Sequence, residues 1–284
     1  MRKETPSRTA RKVALNIVTL GAKPGMEVIL PSGIVDATAE LLVASGAVGE
    51  TTIRFARSRL AVAIYEWFDW MGPGQFEAFA HRKAFCERQA REGINAGATQ
   101  ILVLGAGYDT LGWRLAPEFP EVNFFEIDHP ATGRLKTRGI ETMGTRQNLS
   151  LIATDLGERK LVDVMQTNGL WDRNARTVII AEGLVMYLPH DAVHDMFCQC
   201  AAITGAGSRA CFSYIPMGAD GRPYVGRFTG LMLWLMKVVG EPLLWSIKPE
   251  QLGAFLEGSG WTDVTKMAGV TGKYGVEFFC VGAK

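Results

Sequence analysis

The chain predicts an α/β fold: a doubly wound, mainly parallel sheet with an antiparallel hairpin at one edge and a helical cap before it. Three observations carry this. From residue 99 onward, short apolar runs alternate with stretches of helical periodicity, the pattern of strands joined by crossover helices. The stretch 99–130, TQILVLGAGYDTLGWRLAPEFPEVNFFEIDHP, reads as strand, glycine turn, helix and a second strand ending in an acid. The last two apolar runs are separated by a short glycine-containing loop, 268–275, with no helix between them, so they should pair antiparallel.

Taken in order, residues 1–95 read as a helical cap or lid. An apolar run over 13–20 stops at Gly21-Ala22-Lys23-Pro24-Gly25. A second helix over 34–47 places Val35, Ala39, Leu42 and Val43 at helical spacing. A third, 53–70, is rich in aromatics and arginines and ends at Met71-Gly72-Pro73-Gly74; a fourth spans 76–93. Residues 96–284 hold the sheet, with an apolar insertion near 217–247, and with the cap form one globular unit. Candidate strands are 100–104, 122–127, 149–153, 177–181, 208–214, 261–266 and 275–282. Candidate helices between them are 108–116, 130–140, 157–168, 189–204 and 249–259.

Bulk properties narrow the class. A length of 284 residues suits one large domain with a cap. A net charge of +1 gives no field to attract nucleic acid. Arg2, Lys3, Arg8, Arg11 and Lys12 make the start basic, but no apolar segment follows at once, so it does not read as a secretory signal. It is a solvated leader or a weak contact for an anionic surface. The five cysteines are odd in number, and Cys198 and Cys200 lack a second pair at zinc spacing. They read as reduced, buried thiols of a cytoplasmic protein without a metal. The apolar stretch 228–245 is interrupted by Lys237, Gly240, Glu241 and Pro242, too short to insert stably across a bilayer. Core helix, interfacial helix and wall of an apolar pocket all remain open for it.

The polar residues gather at predicted strand ends, where open α/β sheets bind ligands. Gly105, Ala106 and Gly107 form a turn that a backbone-hugging ligand can approach. The third glycine of a dinucleotide fingerprint would fall at Thr110, so the fingerprint is not met. That disfavours a nicotinamide cofactor and favours a nucleoside without phosphates, S-adenosyl-L-methionine being the common one; a plain structural turn is the third reading. Asp128, 21 residues beyond Gly107, can accept both hydroxyl protons of a ribose. Asp155 either reaches an adenine amino group or caps the next helix. Glu182, beside Gly183, can hold an ammonium group. Arg82 either clamps a carboxylate or sits on a solvated helix face. Tyr187 orients an acceptor or packs as an ordinary aromatic. His81, His129, His190 and His194 show no spacing that demands a metal or triad.

Together these residues make the chain resemble the leucine carboxyl methyltransferase family. The matching stretches are LVLGAGYDTLGWRL (102–115), FFEIDHP (124–130), TDLG (154–157) and AEGLVMYLP (181–189). GEPLLWSIKPEQLGAFLEGSGW (240–261) looks like the closing region of bacterial members. The resemblance covers 80–283 and is weaker over the first helices. It implies a Rossmann-like class I methyltransferase using S-adenosyl-L-methionine. It carries cofactor contacts over to Arg82, Gly105, Asp128, Asp155, Leu156 and Glu182, and places Tyr187 near the acceptor. Val103 stands where many methyltransferases carry an acid, as is usual in this family. The expected reaction is O-methylation of a carboxylate, or a hydroxyl, on a small or medium apolar molecule. The alternatives are a protein C-terminal carboxylate as acceptor, a nicotinamide-dependent oxidoreductase, or a non-catalytic nucleoside-binding protein.

Overall fold

A computed structural model describes residues 5–68, 74–267 and 277–284. Five helices come first: α1 (Arg8–Leu20), α2 (Ile34–Ala44), α3 (Glu50–Ala56), α4 (Arg59–Phe68) and α5 (Gln75–Asn95). The predicted helix over 53–70 is broken in two. The chain turns at Arg57, and the Ser58 hydroxyl accepts a hydrogen bond from the Ala61 amide at 3.1 Å to start α4. Trp70 and the predicted stop at 71–73 lie outside the described residues.

The sheet domain follows as β1 (Gln100–Leu104), α6 (Leu111–Leu115), β2 (Asn123–Asp128), α7 (Pro130–Met143), β3 (Leu149–Ala153), α8 (Leu161–Gln166) and β4 (Thr177–Ala181). It continues with α9 (His190–Ala202), β5 (Arg209–Tyr214), α10 (Thr229–Val239), α11 (Leu252–Glu257), β6 (Thr262–Met267) and β7 (Phe278–Ala283). The strand order is β3-β2-β1-β4-β5-β7-β6. The order reverses beside β1, which opens a crevice at the carboxyl ends of the central strands. β7 is antiparallel to both its neighbours, so the hairpin exists as expected, but its second strand lies inside the sheet and β6 forms the edge. The connecting loop 268–275 lies outside the described residues.

Alternation along β1 sorts the core onto two faces. Leu102 and Leu104 pack with Phe125, Ile179, Phe197 and Phe212 on one side. Ile101 and Val103 pack with Phe85, Phe124, Val178 and Cys211 on the other, under α5. The cap shares this core: Ala14 and Val18 of α1 and Leu41 of α2 cluster with Tyr108 and Ile140. Helix α5 approaches β4 closely because Gly93 has no side chain. A Cβ there would stand 2.1 Å from Val178 Cγ2. Gly93→Ala is therefore expected to lower stability by about 1–3 kcal/mol through overpacking, read as a lower denaturant midpoint at unchanged slope.

Candidate active site

The glycine turn after β1 takes the left-handed backbone region at Gly105 (φ +66°) and Gly107 (φ +49°), where side chains are strained. Its surroundings also exclude a side chain: a Cβ on Gly105 would meet Leu184 Cδ1 at 2.9 Å, and one on Gly107 would meet Ala10 of α1 at 3.1 Å. The Ala106 amide donates to the Ile127 carbonyl at 3.1 Å, and the Gly107 amide donates to Asp128 Oδ2. The turn and the end of β2 thus form one unit. Burial pushes the Asp128 carboxyl above its ordinary range, with the Gly107 amide opposing.

Glu126, the other acid on β2, has a different task. It is 2% exposed, lies 2.6 Å from Lys136 Nζ and accepts the Gly112 amide at 3.2 Å. It ties α6 and α7 to the sheet, both through side-chain contacts of its carboxylate.

At the end of β3, the Thr154 amide donates to the Asp128 carbonyl at 2.9 Å. Asp155 Oδ1 accepts the Gly157 amide at 2.8 Å, and its Oδ2 lies 3.6 Å from His129 Nε2. The helix-cap reading of Asp155 is therefore corrected. Helix α8 starts only at Leu161, and Asp155 instead closes a tight turn. His129 caps α7, its Nδ1 accepting the Ala131 amide at 3.3 Å. Leu156 packs half-buried against the core.

At the end of β4, Glu182 sits in a buried charge network. Arg82 Nε donates to its Oε1 at 2.8 Å and Lys83 Nζ to its Oε2 at 3.0 Å. Lys83 also pairs with Asp109 at 2.9 Å, and Arg82 with Glu277 at 3.2 Å. Arg82 is 7% exposed, so the solvated-face reading fails. Its guanidinium lies against Gly183, where a Cβ would come within 3.1 Å. Burial works against the Asp109 carboxylate, but the Lys83 ammonium overrides it and holds that group well below the usual range.

Tyr187 ends a single 3₁₀ turn, Val185–Tyr187. Burial pushes its phenol up to about 12, with Glu241 and Glu277 adding and Arg82 opposing. At neutral pH it is a neutral donor. Glu241, just past α10, fastens the start of α1: its Oε1 accepts from the Ser7 hydroxyl at 3.3 Å and the Thr9 amide at 3.4 Å. The Ser7 amide donates to Thr132 Oγ1 at 3.0 Å. The start of α1 is therefore pinned across the glycine turn.

The structure thus brings Gly105, Ala106, Gly107, Asp128, Asp155, Leu156 and Glu182 to the carboxyl ends of β1 to β4, with Arg82 bonded to Glu182 and Tyr187 within the field of Arg82. Sequence reasoning missed Lys83, Asp109, Glu241 and Glu277. Asp109 did carry a signal, two residues beyond Gly107. Two open surface clefts, about 270 Å³ by Lys23 and Glu77 and about 290 Å³ by Pro31 and Arg88, are lined by none of the residues just named as the site. Among the described residues, no group of three or more His, Cys, Asp or Glu is placed to hold a metal ion.

Helix α10 narrows the three readings left open for the 228–245 segment. It is not a core helix, since none of its residues is buried.

Comparison with known proteins bears on the same features. The sequence profile of the leucine carboxyl methyltransferase family matches residues 31–201. A protein of Mycolicibacterium paratuberculosis described as an S-adenosyl-L-methionine-dependent methyltransferase is 29% identical over 209 residues, covering 70% of this chain and 66% of that one. A protein of the same description from Mycobacterium marinum is 29% identical over 167 residues, covering 57% and 53%. The chain thus spans between about half and two thirds of the length of these curated relatives. A methyltransferase structure from Thermobifida fusca shares the fold at a TM-score of 0.59 and 15% identity, over 92% of this chain and 97% of that one. The profile takes in the cap from α2 onward, the glycine turn, both strand-end aspartates and Glu182, and on that match the chain belongs to the leucine carboxyl methyltransferase family.

Proposed function

We propose that this chain methylates an oxygen, and specifically a carboxylate oxygen, of a small or medium-sized apolar molecule. S-adenosylmethionine, when bound, supplies an electrophilic methyl group. The cradle fits such a ligand: a glycine turn that no Cβ could share, with half-buried carboxylates at the ends of β2 and β3. In this reading Gly105–Gly107 admit the nucleoside and Asp128 accepts the ribose hydroxyl protons. Asp155 and Leu156 flank the adenine, while Arg82 and Glu182 address the amino-acid end. Family membership removes the nicotinamide alternative.

The observation that carries the carboxylate assignment is the lack of a suitable base among the groups considered. Tyr187 holds its proton up to about 12. His129 is engaged as a helix cap, and His190 packs edge-on against Phe255 at 5.6 Å. An ionised carboxylate needs no proton removed, so alignment by Tyr187 and exclusion of water are what remain for the protein to supply.

The test is methyl transfer to a panel of aliphatic and aromatic carboxylic acids, alongside matched alcohols and a leucine-ending peptide. The double variant His129→Gln/His190→Gln should keep its rate within about threefold and leave the profile flat from about pH 6 to 9. Tyr187→Phe should lower kcat by about tenfold without removing a limb in that window. A loss of about 100-fold in the histidine variant, with a limb gone near pH 6–7, would assign base-assisted hydroxyl methylation instead. Turnover of the peptide alone would assign a protein C-terminus.

A further inference from the structure

We infer that α10 and the basic start of α1 form a docking surface for an anionic lipid bilayer. The first observation is the orientation of α10. Its side chains Leu231, Trp234, Leu235 and Val238 recur at i, i+3, i+4 and i+7, so they share one face. In an ordinary surface helix that face is turned to the core. Here it is the exposed one: Trp234 is 58% and Val238 64% exposed, and Val239 and Leu244 extend the patch. Met232, Leu233 and Met236, on the opposite side, are the half-buried ones. The inward side is apolar as well, so the helix carries a second, uncovered apolar face of the kind that a bilayer interface buries.

The second observation is charge. Arg227 and Lys237 flank the stripe and are exposed, and neither has an ion-pair partner among the described residues. Arg8, Arg11 and Lys12 are exposed on α1, whose start is fastened to Glu241 immediately beyond α10. The acids that flank α10 along the chain are largely spent. Asp220 is paired with Arg222 at 2.7 Å, and Glu241 is bonded to Ser7 and Thr9, which leaves Glu250 against Lys248 and the cations named above. Lysine and arginine at the rim of an apolar face can extend their ends into the headgroups while the stems stay apolar. Each adds to the attraction of an anionic surface.

The same charges argue against a second copy as the occupant. A two-fold contact through α10 would bring Arg227 and Lys237 of one copy against the same cations of the other. The helix has 11 residues, and no described helix is long and apolar enough to cross a membrane, so the contact is peripheral. Docking this way brings the start of α1, fastened to Glu241 just past α10, close to the lipid. It would bring an apolar acceptor to the site from the bilayer. That last step rests on the proposed function; the docking itself does not.

The test is flotation of the whole protein with vesicles of phosphatidylcholine alone or with about 30% phosphatidylglycerol. Binding to the anionic vesicles only, released on the order of 0.5 M salt, is expected. Leu231→Ser/Trp234→Ser should weaken it by at least about tenfold. These positions are exposed, so the unfolding midpoint should not move. Arg227→Gln/Lys237→Gln should flatten the salt dependence. No binding to either vesicle, or undiminished binding by the Leu231/Trp234 variant, overturns the proposal. So does a dimer in sedimentation that this variant dissolves, which would give the face to a second copy.

Discussion

Lys83→Met is expected to lower the unfolding free energy by about 3–5 kcal/mol, the range for breaking a buried ion pair from one side. Lys83 lies on α5 between two carboxylates, 2.9 Å from Asp109 and 3.0 Å from Glu182, with side chains 11%, 6% and 6% exposed. Methionine fills a similar volume, so the loss is electrostatic and not a cavity. Arg82 still serves Glu182, but Asp109 is left as a desolvated charge whose remaining acceptor bond is the Leu111 amide at 3.0 Å. The sign with pH follows. Asp109 is held below its ordinary value in the native protein, so its contribution is present above about pH 4 and is lost as the pH falls through the native value. In the variant the largest part of that contribution is gone, with Lys136 and Arg114 left to hold the charge, and Asp109 is easier to protonate. The deficit should therefore be largest near neutrality and shrink toward about pH 4. Guanidinium melts of both proteins at several pH values measure it. A deficit below about 1 kcal/mol at every pH would mean the network behaves like an exposed ion pair.

Asp128→Ala should weaken S-adenosylhomocysteine binding by about 1.5–3 kcal/mol, on the order of 10- to 150-fold, as expected for a lost charged acceptor. The same carboxylate holds the Gly107 amide, so the alanine variant also loosens the glycine turn. Asp128→Asn separates the two effects, since it keeps an oxygen for that amide and loses only the charge. Burial raises the Asp128 carboxyl, so wild-type affinity should fall on acidification earlier than an ordinary aspartate would dictate. The asparagine variant should lack that decline. Calorimetric titration across pH measures both, and unchanged affinity in both variants would remove Asp128 from the cofactor site.

The parts of the site that could be read from the sequence are those set by local order. Gly105, Asp128, Asp155 and Glu182 each follow an apolar run, and parallel strands bring their carboxyl ends together whatever lies between them. What could not be read depends on partners far along the chain. Arg82 meets Glu182 and Glu277 across separations of 100 and 195 residues. Glu126 and Asp128 share a strand and a face, and what separates them is their partners: Lys136 and the Gly112 amide for Glu126, the Gly107 amide for Asp128. The apolar run over α10 could be read, but a run does not say which side meets solvent. The break between α3 and α4 rests on one serine hydroxyl. A short loop implied that β6 and β7 pair, yet not which of them would lie against β5.

The placement of β7 between β5 and β6 constrains how the molecule can assemble. Paired positions on β5 and β7 stand more than sixty residues apart in the chain, from Tyr214↔Phe278 to Arg209↔Ala283. Such distant pairings form slowly, because a long loop must close before any contact rewards it. β6 emerges before β7 and runs in the same direction as β5, so an early β6–β5 pairing would occupy the edge that β7 must take. The productive route joins β6 to β7 first and delivers both as one unit. Until then Ala210, Cys211 and Phe212 belong to an open strand edge whose side chains end up buried. That interval is when one nascent chain is most apt to capture another, so yield on refolding should fall with protein concentration.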